Sequence, residues 1–208
     1  MKNNFIKRIL SIFVLSPIFI LCVIKGGIIF NIFLFVLLLI IIFEIKNLNL
    51  LYTQIILSLL LLLFLYSFYS IRNKTNGLEI IFLLTFITWL SDIGGYIFGK
   101  LIGGKKINFI SPNKTFSGYC GSIILAQLNL LFIDFVNLNL FTNIYSNIIF
   151  LFCCTVLVIF GDLLFSYVKR LNKIKDYSNV IPGHGGLLDR LDGFIVLVTI
   201  FNIVYHTL

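Results

Sequence analysis

Apolar runs of about 17 residues or more recur along most of this chain, and nothing else in it narrows the possible folds so far. In hydrocarbon, a backbone must satisfy its own hydrogen bonds, so such runs read as membrane-crossing helices. Seven of them are expected, over roughly 9–24, 26–45, 48–69, 78–98, 118–138, 143–166 and 191–207. Charged residues make up 12% of the 208, about half the share usual for soluble domains. The expected fold class is therefore all-α: a polytopic integral membrane protein of about seven transmembrane helices, with its polar loops on one side. No soluble segment is long enough to fold alone, so residues 1–208 read as one membrane domain, with N-terminal spans in 1–77 and the polar, charge-bearing loops in 78–208.

The basic start and apolar run of "MKNNFIKRILSIFVLSPIFILCVI" resemble a signal peptide. The chain holds a single Ala, Ala126, so no A-x-A cleavage site follows and the segment reads as a retained first span. Lys25-Gly26-Gly27 joins it to the second span as a tight helical hairpin. The four cysteines, Cys22, Cys120, Cys153 and Cys154, lie in apolar segments without C-x-x-C spacing and read as small packing residues. With the N-terminus inside, 13 of the 16 Lys and Arg fall on the cytoplasmic side, and the positive-inside rule favours that orientation. Both long polar loops, 99–117 and 170–190, then face the cytoplasm, where nucleotides and Mg²⁺ are found.

Only eight acidic residues exist, and four of them approach one membrane depth. Asp92 lies inside the fourth span near its cytoplasmic end, Asp162 lies near the cytoplasmic end of the sixth, and Asp189 and Asp192 open the seventh, three apart on one helix face. An ionised Asp inside the bilayer costs about 2.5–3.5 kcal/mol, less near the interface, and packing does not return that cost. One reading pairs each Asp with a nearby cation, as Asp162 with Lys169. The sharper reading is a site for a hard divalent cation, which takes oxygen ligands from one or two carboxylates and substrate phosphates.

The surroundings favour the second. The 25 residues from Lys169 to Gly193 hold three Asp, five Lys or Arg and one His. Lys169, Arg170, Arg190 and Lys114 surround the acids, and Arg190 is wedged between Asp189 and Asp192. Carboxylates for a metal beside cations for phosphates are what phosphoryl chemistry needs. Gly183, Gly185 and Gly186 around His184 suit a phosphate loop, since glycine permits close backbone approach and an anion nest. His184 reads as a loop-orienting or phosphate-donating group. "SPNKTFSG" invites comparison with a P-loop, but Asn113 replaces the required Gly; Ser111, Lys114 and Thr115 remain candidates for phosphate by another geometry.

These residues carry a resemblance. "GDLLFSYVKRLNKIKDYSNVIPGHGGLLDRLDG" resembles the signature of the phosphatidate cytidylyltransferase (CDP-diacylglycerol synthase) family: Ser166, Lys169-Arg170, Lys175-Asp176, Pro182-Gly183-His184-Gly185-Gly186 and Asp189-Arg190-Leu191-Asp192. "SDIGGYIFGK" and "SPNKT" resemble upstream blocks, so the likeness covers roughly residues 85–208. It implies that CTP and phosphatidate react to give CDP-diacylglycerol and pyrophosphate, with a Mg²⁺ requirement and a homodimer at the cytoplasmic face of the inner membrane. No nucleic-acid partner is expected. Asp162 and Asp189 are expected as principal metal ligands, with Asp192 and Asp176 as supporting ligands or cation-orienting groups. Lys114, Lys169, Arg170 and Arg190 would hold phosphates. Ser117 and Phe165 stand where the family commonly carries Glu, which is expected to lower activity without eliminating it. Alternatives are a CTP-dependent enzyme of polyprenyl or phytyl lipids, a non-catalytic relative, and an ion or proton pathway; against the last, the acids cluster at one interface.

Overall fold

The structure, a computed structural model, describes residues 2–107, 111–138, 140–141, 143–181 and 185–207. Helices α1 (Lys2–Lys25), α2 (Gly27–Lys46), α3 (Leu51–Arg72) and α4 (Gly77–Leu101) are followed by strands β1 (Lys106–Ile107) and β2 (Ser111–Thr115). Then come α5 (Phe116–Ala126), α6 (Asn129–Val136), α7 (Ile144–Leu171) and α8 (Leu188–Thr207).

The helices follow the apolar runs closely. Four of them, together with the α5–α6 segment Phe116–Val136, are long and apolar enough to cross a membrane: α2, α3, α4 and α7. The helix α1 adds a shorter apolar stretch, Phe13–Lys25, and α8 carries Asp189, Arg190 and Asp192 at its start. The hairpin at Gly26 forms where expected, with φ of 64° at Gly26 and 53° at Gly27. Two features differ from the all-helical expectation. The fifth run is broken at Gln127–Leu128 into α5 and α6. The loop before it contains an antiparallel pair of strands, Lys106 opposite Thr115, which takes up backbone groups that no helix reaches.

Two close helix contacts set the positions of the charged residues. A Cβ on Gly94 of α4 would lie 2.4 Å from the carbonyl oxygen of Gly121 on α5, and one on Gly118 would lie 2.9 Å from that of Gly95. Small residues let these backbones touch, the usual way to join helices where lipid supplies no hydrophobic drive. Ser122 adds a hydrogen bond from its hydroxyl to the Ser91 carbonyl at 2.7 Å. The second contact joins α7 and α8: a Cβ on Gly161 would lie 2.9 Å from both the Asp192 carbonyl oxygen and the Gly193 Cα.

The core runs the length of the bundle. Phe30, Phe64, Phe68 and Phe194 are buried, and Phe68 meets Phe30 and Phe194 edge-on at 5.2 and 5.7 Å between ring centres. Asn172, past the end of α7, ties that end to the α2–α3 turn. Its Oδ1 accepts from the backbone N–H groups of Asn49 and Leu50 at 2.9 Å, and its Nδ2 donates to the Val168 carbonyl at 2.9 Å. A buried amide thereby satisfies helix-end groups that otherwise lack partners.

Candidate active site

The Gly161–Gly193 contact brings the end of α7 against the start of α8, and this sets the geometry of the acids. Asp162 follows Gly161, and Asp192 precedes Gly193. Their carboxyl groups come within hydrogen-bonding reach of each other, and Asp192 Oδ1 also accepts from the Gly193 N–H at 2.9 Å. Lys114 reaches in from β2 and ion-pairs with Asp162. Burial alone would lower the pKa of the Lys114 ammonium, but the charge and hydrogen bond of Asp162, with the charge of Asp192 behind them, outweigh it and hold Lys114 above its ordinary 10.5. Asp92 of α4 lies near enough to Asp162, Lys114 and Arg190 for direct charge interaction. Three helices, α4, α7 and α8, and the β-hairpin thus contribute to one charged cluster. The partner of Asp162 is Lys114, 48 residues away in sequence, rather than the nearby Lys169.

Asp189 is engaged differently. Its Oδ1 accepts from Lys169 Nζ at 2.6 Å, and its Oδ2 accepts from the backbone N–H groups of Tyr177 and Gly186, each at 2.9 Å. The pair is well shielded, with side-chain exposures of 13% for Lys169 and 6% for Asp189. Asp189 and Asp192 share α8, yet one fastens the connector between α7 and α8 while the other faces Asp162. Tyr177, in that connector, is fully buried. Burial, reinforced by the carboxylates of Asp189, Asp192 and Glu44, holds its phenol well above the ordinary value. It therefore remains a donor, to the Phe165 carbonyl at 3.2 Å.

The other expected site residues divide by position. Arg170, Asp176 and Arg190 are exposed, and Arg190 lines a cavity between the helices. Asp176 lies against Gly185, where an added Cβ would come 3.3 Å from the Asp176 Cβ. Gly185 has a φ of 85°, conformational territory that glycine enters without strain, and its carbonyl accepts from the Ile181 N–H at 2.9 Å. Gly183 and His184 lie outside the described residues. Ser111 and Lys114 sit on β2. Thr115 caps α5, its hydroxyl accepting from the Gly118 N–H at 3.2 Å. Ser117 donates to the Gly103 carbonyl and contacts the Thr115 hydroxyl at 3.0 Å. Phe165 is fully buried and packs edge-on against Tyr177 at 6.1 Å.

Sequence reasoning passed over Glu44, which is wholly buried and accepts hydrogen bonds from the connector and the start of α8. The signal was its position as an unexplained acid at the end of an apolar run, "IIIFEIK".

The cavity beside the cluster has a volume of about 380 Å³. Phe19, Phe33, Phe64, Phe68 and Phe194 form much of its apolar wall, and Asp92 and Arg190 are its charged lining. An apolar chamber with charge on its wall suits an amphiphile.

The donor chemistry fits a hard divalent cation. Asp162 and Asp192 are two carboxylates at hydrogen-bonding distance, and facing carboxylates require a shared proton or a cation between them. Among the described residues no three His, Cys, Asp or Glu side chains form a metal-holding group. The site thus suits an ion that takes one or two protein carboxylates and completes its shell with water and phosphate, as Mg²⁺ does.

Residues 46–208 match the Cytidylyltransferase family, and the chain belongs to it. Over 141 residues it is 38% identical to a phosphatidate cytidylyltransferase of Staphylococcus haemolyticus, covering 65% of this chain and 52% of that protein. Over 145 residues it is 39% identical to a phosphatidate cytidylyltransferase of Staphylococcus aureus, covering 66% of this chain and 52% of that protein. The chain spans about half the length of the curated relatives it matches.

Proposed function

We propose that the chain transfers the cytidylyl group of CTP to phosphatidate, giving CDP-diacylglycerol and pyrophosphate. The observation that carries this reading is the convergence of Asp162, Asp192 and Lys114 beside an apolar cavity. The family membership and the names of the relatives support it.

In the reaction an oxygen of the lipid phosphate forms a bond to the α-phosphorus of CTP. The bond from that phosphorus to the oxygen bridging to the β-phosphate breaks, and pyrophosphate leaves with the electron pair. A lipid phosphate has a second pKa near 6, so at neutral pH it is largely dianionic and needs no strong base. The difficulty lies in bringing two polyanions together. Asp162 and Asp192 would hold Mg²⁺, with Asp92 close by, and the ion would supply charge neutralisation on the phosphates. Lys114 faces the same point and would hold a phosphate oxygen once released from Asp162. Arg190, on the cavity wall, would hold the lipid phosphate, and Arg170 would hold a phosphate of the nucleotide. Lys169 and Asp189 keep the connector and α8 in register.

The finer topology belongs to the same reading. Seven spans, including α1 and α8, place the N-terminus and both polar loops in the cytoplasm, so that a soluble nucleotide and a lipid headgroup meet at one face of the inner membrane. The chain acts as one membrane domain and as a homodimer. Purified protein in detergent, given labelled CTP and Mg²⁺ with either phosphatidate or a polyprenyl phosphate, tests the proposal. Labelled liponucleotide from phosphatidate alone supports it; product from the polyprenyl phosphate alone would replace it with the related lipid reaction.

A further inference from the structure

Glu44 ends α2, far in sequence from every charged group of the cluster, and its side chain is 0% exposed. Its Oε1 accepts from the Ser178 hydroxyl and from the Leu187 N–H, each at 2.6 Å, and its Oε2 accepts from the Leu188 N–H at 2.8 Å. Leu187 precedes α8 and Leu188 begins it, where the first N–H groups have no partner within the helix and the helix dipole favours a negative charge. A buried carboxylate is costly unless hydrogen-bonded; here three donors and a helix terminus meet it, and among the described residues it makes no ion pair. Gly186 allows the approach: a Cβ there would lie 2.8 Å from Glu44 Oε1. Asn47, one turn on, donates from Nδ2 to the Tyr177 carbonyl at 2.9 Å. The end of α2 therefore grips the α7–α8 connector at two places, at Tyr177–Ser178 and where it enters α8.

We infer that Glu44 is a positioning residue for the active site: it fixes the height and rotation of the first turn of α8, and through them the approach of Asp192 to Asp162 and the setting of Arg190. Asp192 lies four residues past Leu188, so a shift of that first turn moves its carboxylate relative to α7, whose own position is fixed by the Gly161–Gly193 contact. Asp189 holds Gly186 from the other side through the same turn. The N-terminal spans, which carry none of the signature residues, thereby contribute to the site. This inference rests on the proposed cytidylyl transfer, but its structural half can be read without it.

The test compares the full chain with Glu44→Gln and Glu44→Asp in detergent, by hydrogen-exchange mass spectrometry and by steady-state kinetics. Glutamine keeps the shape but replaces one acceptor oxygen with a donor. The expected result for Glu44→Gln is exchange faster by about tenfold or more over 185–190, with α4 and α5 unchanged and the thermal midpoint nearly retained. Its kcat should fall by roughly 10- to 100-fold, the loss seen when a group that orients a ligand is removed, with the KM for phosphatidate unchanged. Glu44→Asp should recover part of both. Unchanged exchange over 185–190 would overturn the inference. So would faster exchange spread evenly through the bundle with kcat per folded molecule intact, because that is plain structural support. If the native chain makes no liponucleotide, the proposed reaction fails. The exchange result then decides alone: a local effect supports positioning, and none overturns it.

Discussion

Asp162 and Asp189 carry the same functional group to neighbouring helices, but their partners give them different work. Asp162 meets Lys114 and Asp192, a cluster with more charge than packing needs. Asp189 has its oxygens filled by Lys169 and two backbone N–H groups, as a fastening does. Asp162→Asn and Asp192→Asn should therefore each lower turnover by about 100-fold or more, the scale on which loss of a charge-stabilising group acts, while expression and thermal midpoint hold. Asp189→Asn should lose stability as well, since removing one member of a shielded pair strands the other at a cost of about 3–5 kcal/mol. A thermal-shift series on the three variants checks the ordering; equal midpoints would remove the distinction. Phe165 gives a second prediction. It is buried and packs edge-on against Tyr177, so Phe165→Glu, which removes that ring and buries a carboxyl in its place, should destabilise by about 3 kcal/mol or more and should not raise the rate. A faster, equally stable Phe165→Glu enzyme would contradict this placement.

At the scale of elements, the site depends on how closely α7 and α8 approach. Gly161 meets backbone atoms of Asp192 and Gly193 that cannot swing aside. Gly161→Ala should therefore part the two helices, reduce turnover by about tenfold or more, and leave insertion unaffected; overpacking of this kind typically costs about 1–3 kcal/mol. Unchanged kinetics would mean that the contact does not set the Asp162–Asp192 geometry. The helices themselves were legible because a long apolar run has few alternatives in a membrane. The strand pair at Lys106 and Thr115 was not, because two residues facing five leave no alternating pattern to read. The break at Gln127–Leu128 lacks Gly or Pro to announce it. The convergence of Asp92, Asp162 and Asp192 could be read from their shared depth. Which cation each would meet could not, because Lys114 comes to Asp162 through the tertiary packing of α4 on α5. Glu44 escaped for the same reason, its donors lying more than a hundred positions away.

For the whole molecule, the proposed use of CTP needs both polar loops on the cytoplasmic side. In a background lacking the native cysteines, Lys105→Cys and Asn179→Cys should resist an impermeant thiol reagent in intact cells and react once the membrane is opened. Labelling of either from outside would invert the orientation and remove access to CTP. At its centre stands the proposed transfer of a cytidylyl group onto a lipid phosphate by the cluster at the junction of α7 and α8. Its most direct test uses CTP labelled at the α- or the γ-phosphorus, with phosphatidate, Mg²⁺ and either the native protein or Asp162→Asn. The expected result is that α-label enters the lipid and γ-label leaves as pyrophosphate, with both signals lost in the variant. Label entering the lipid from the γ-position, or α-label transfer that survives in Asp162→Asn, would contradict it.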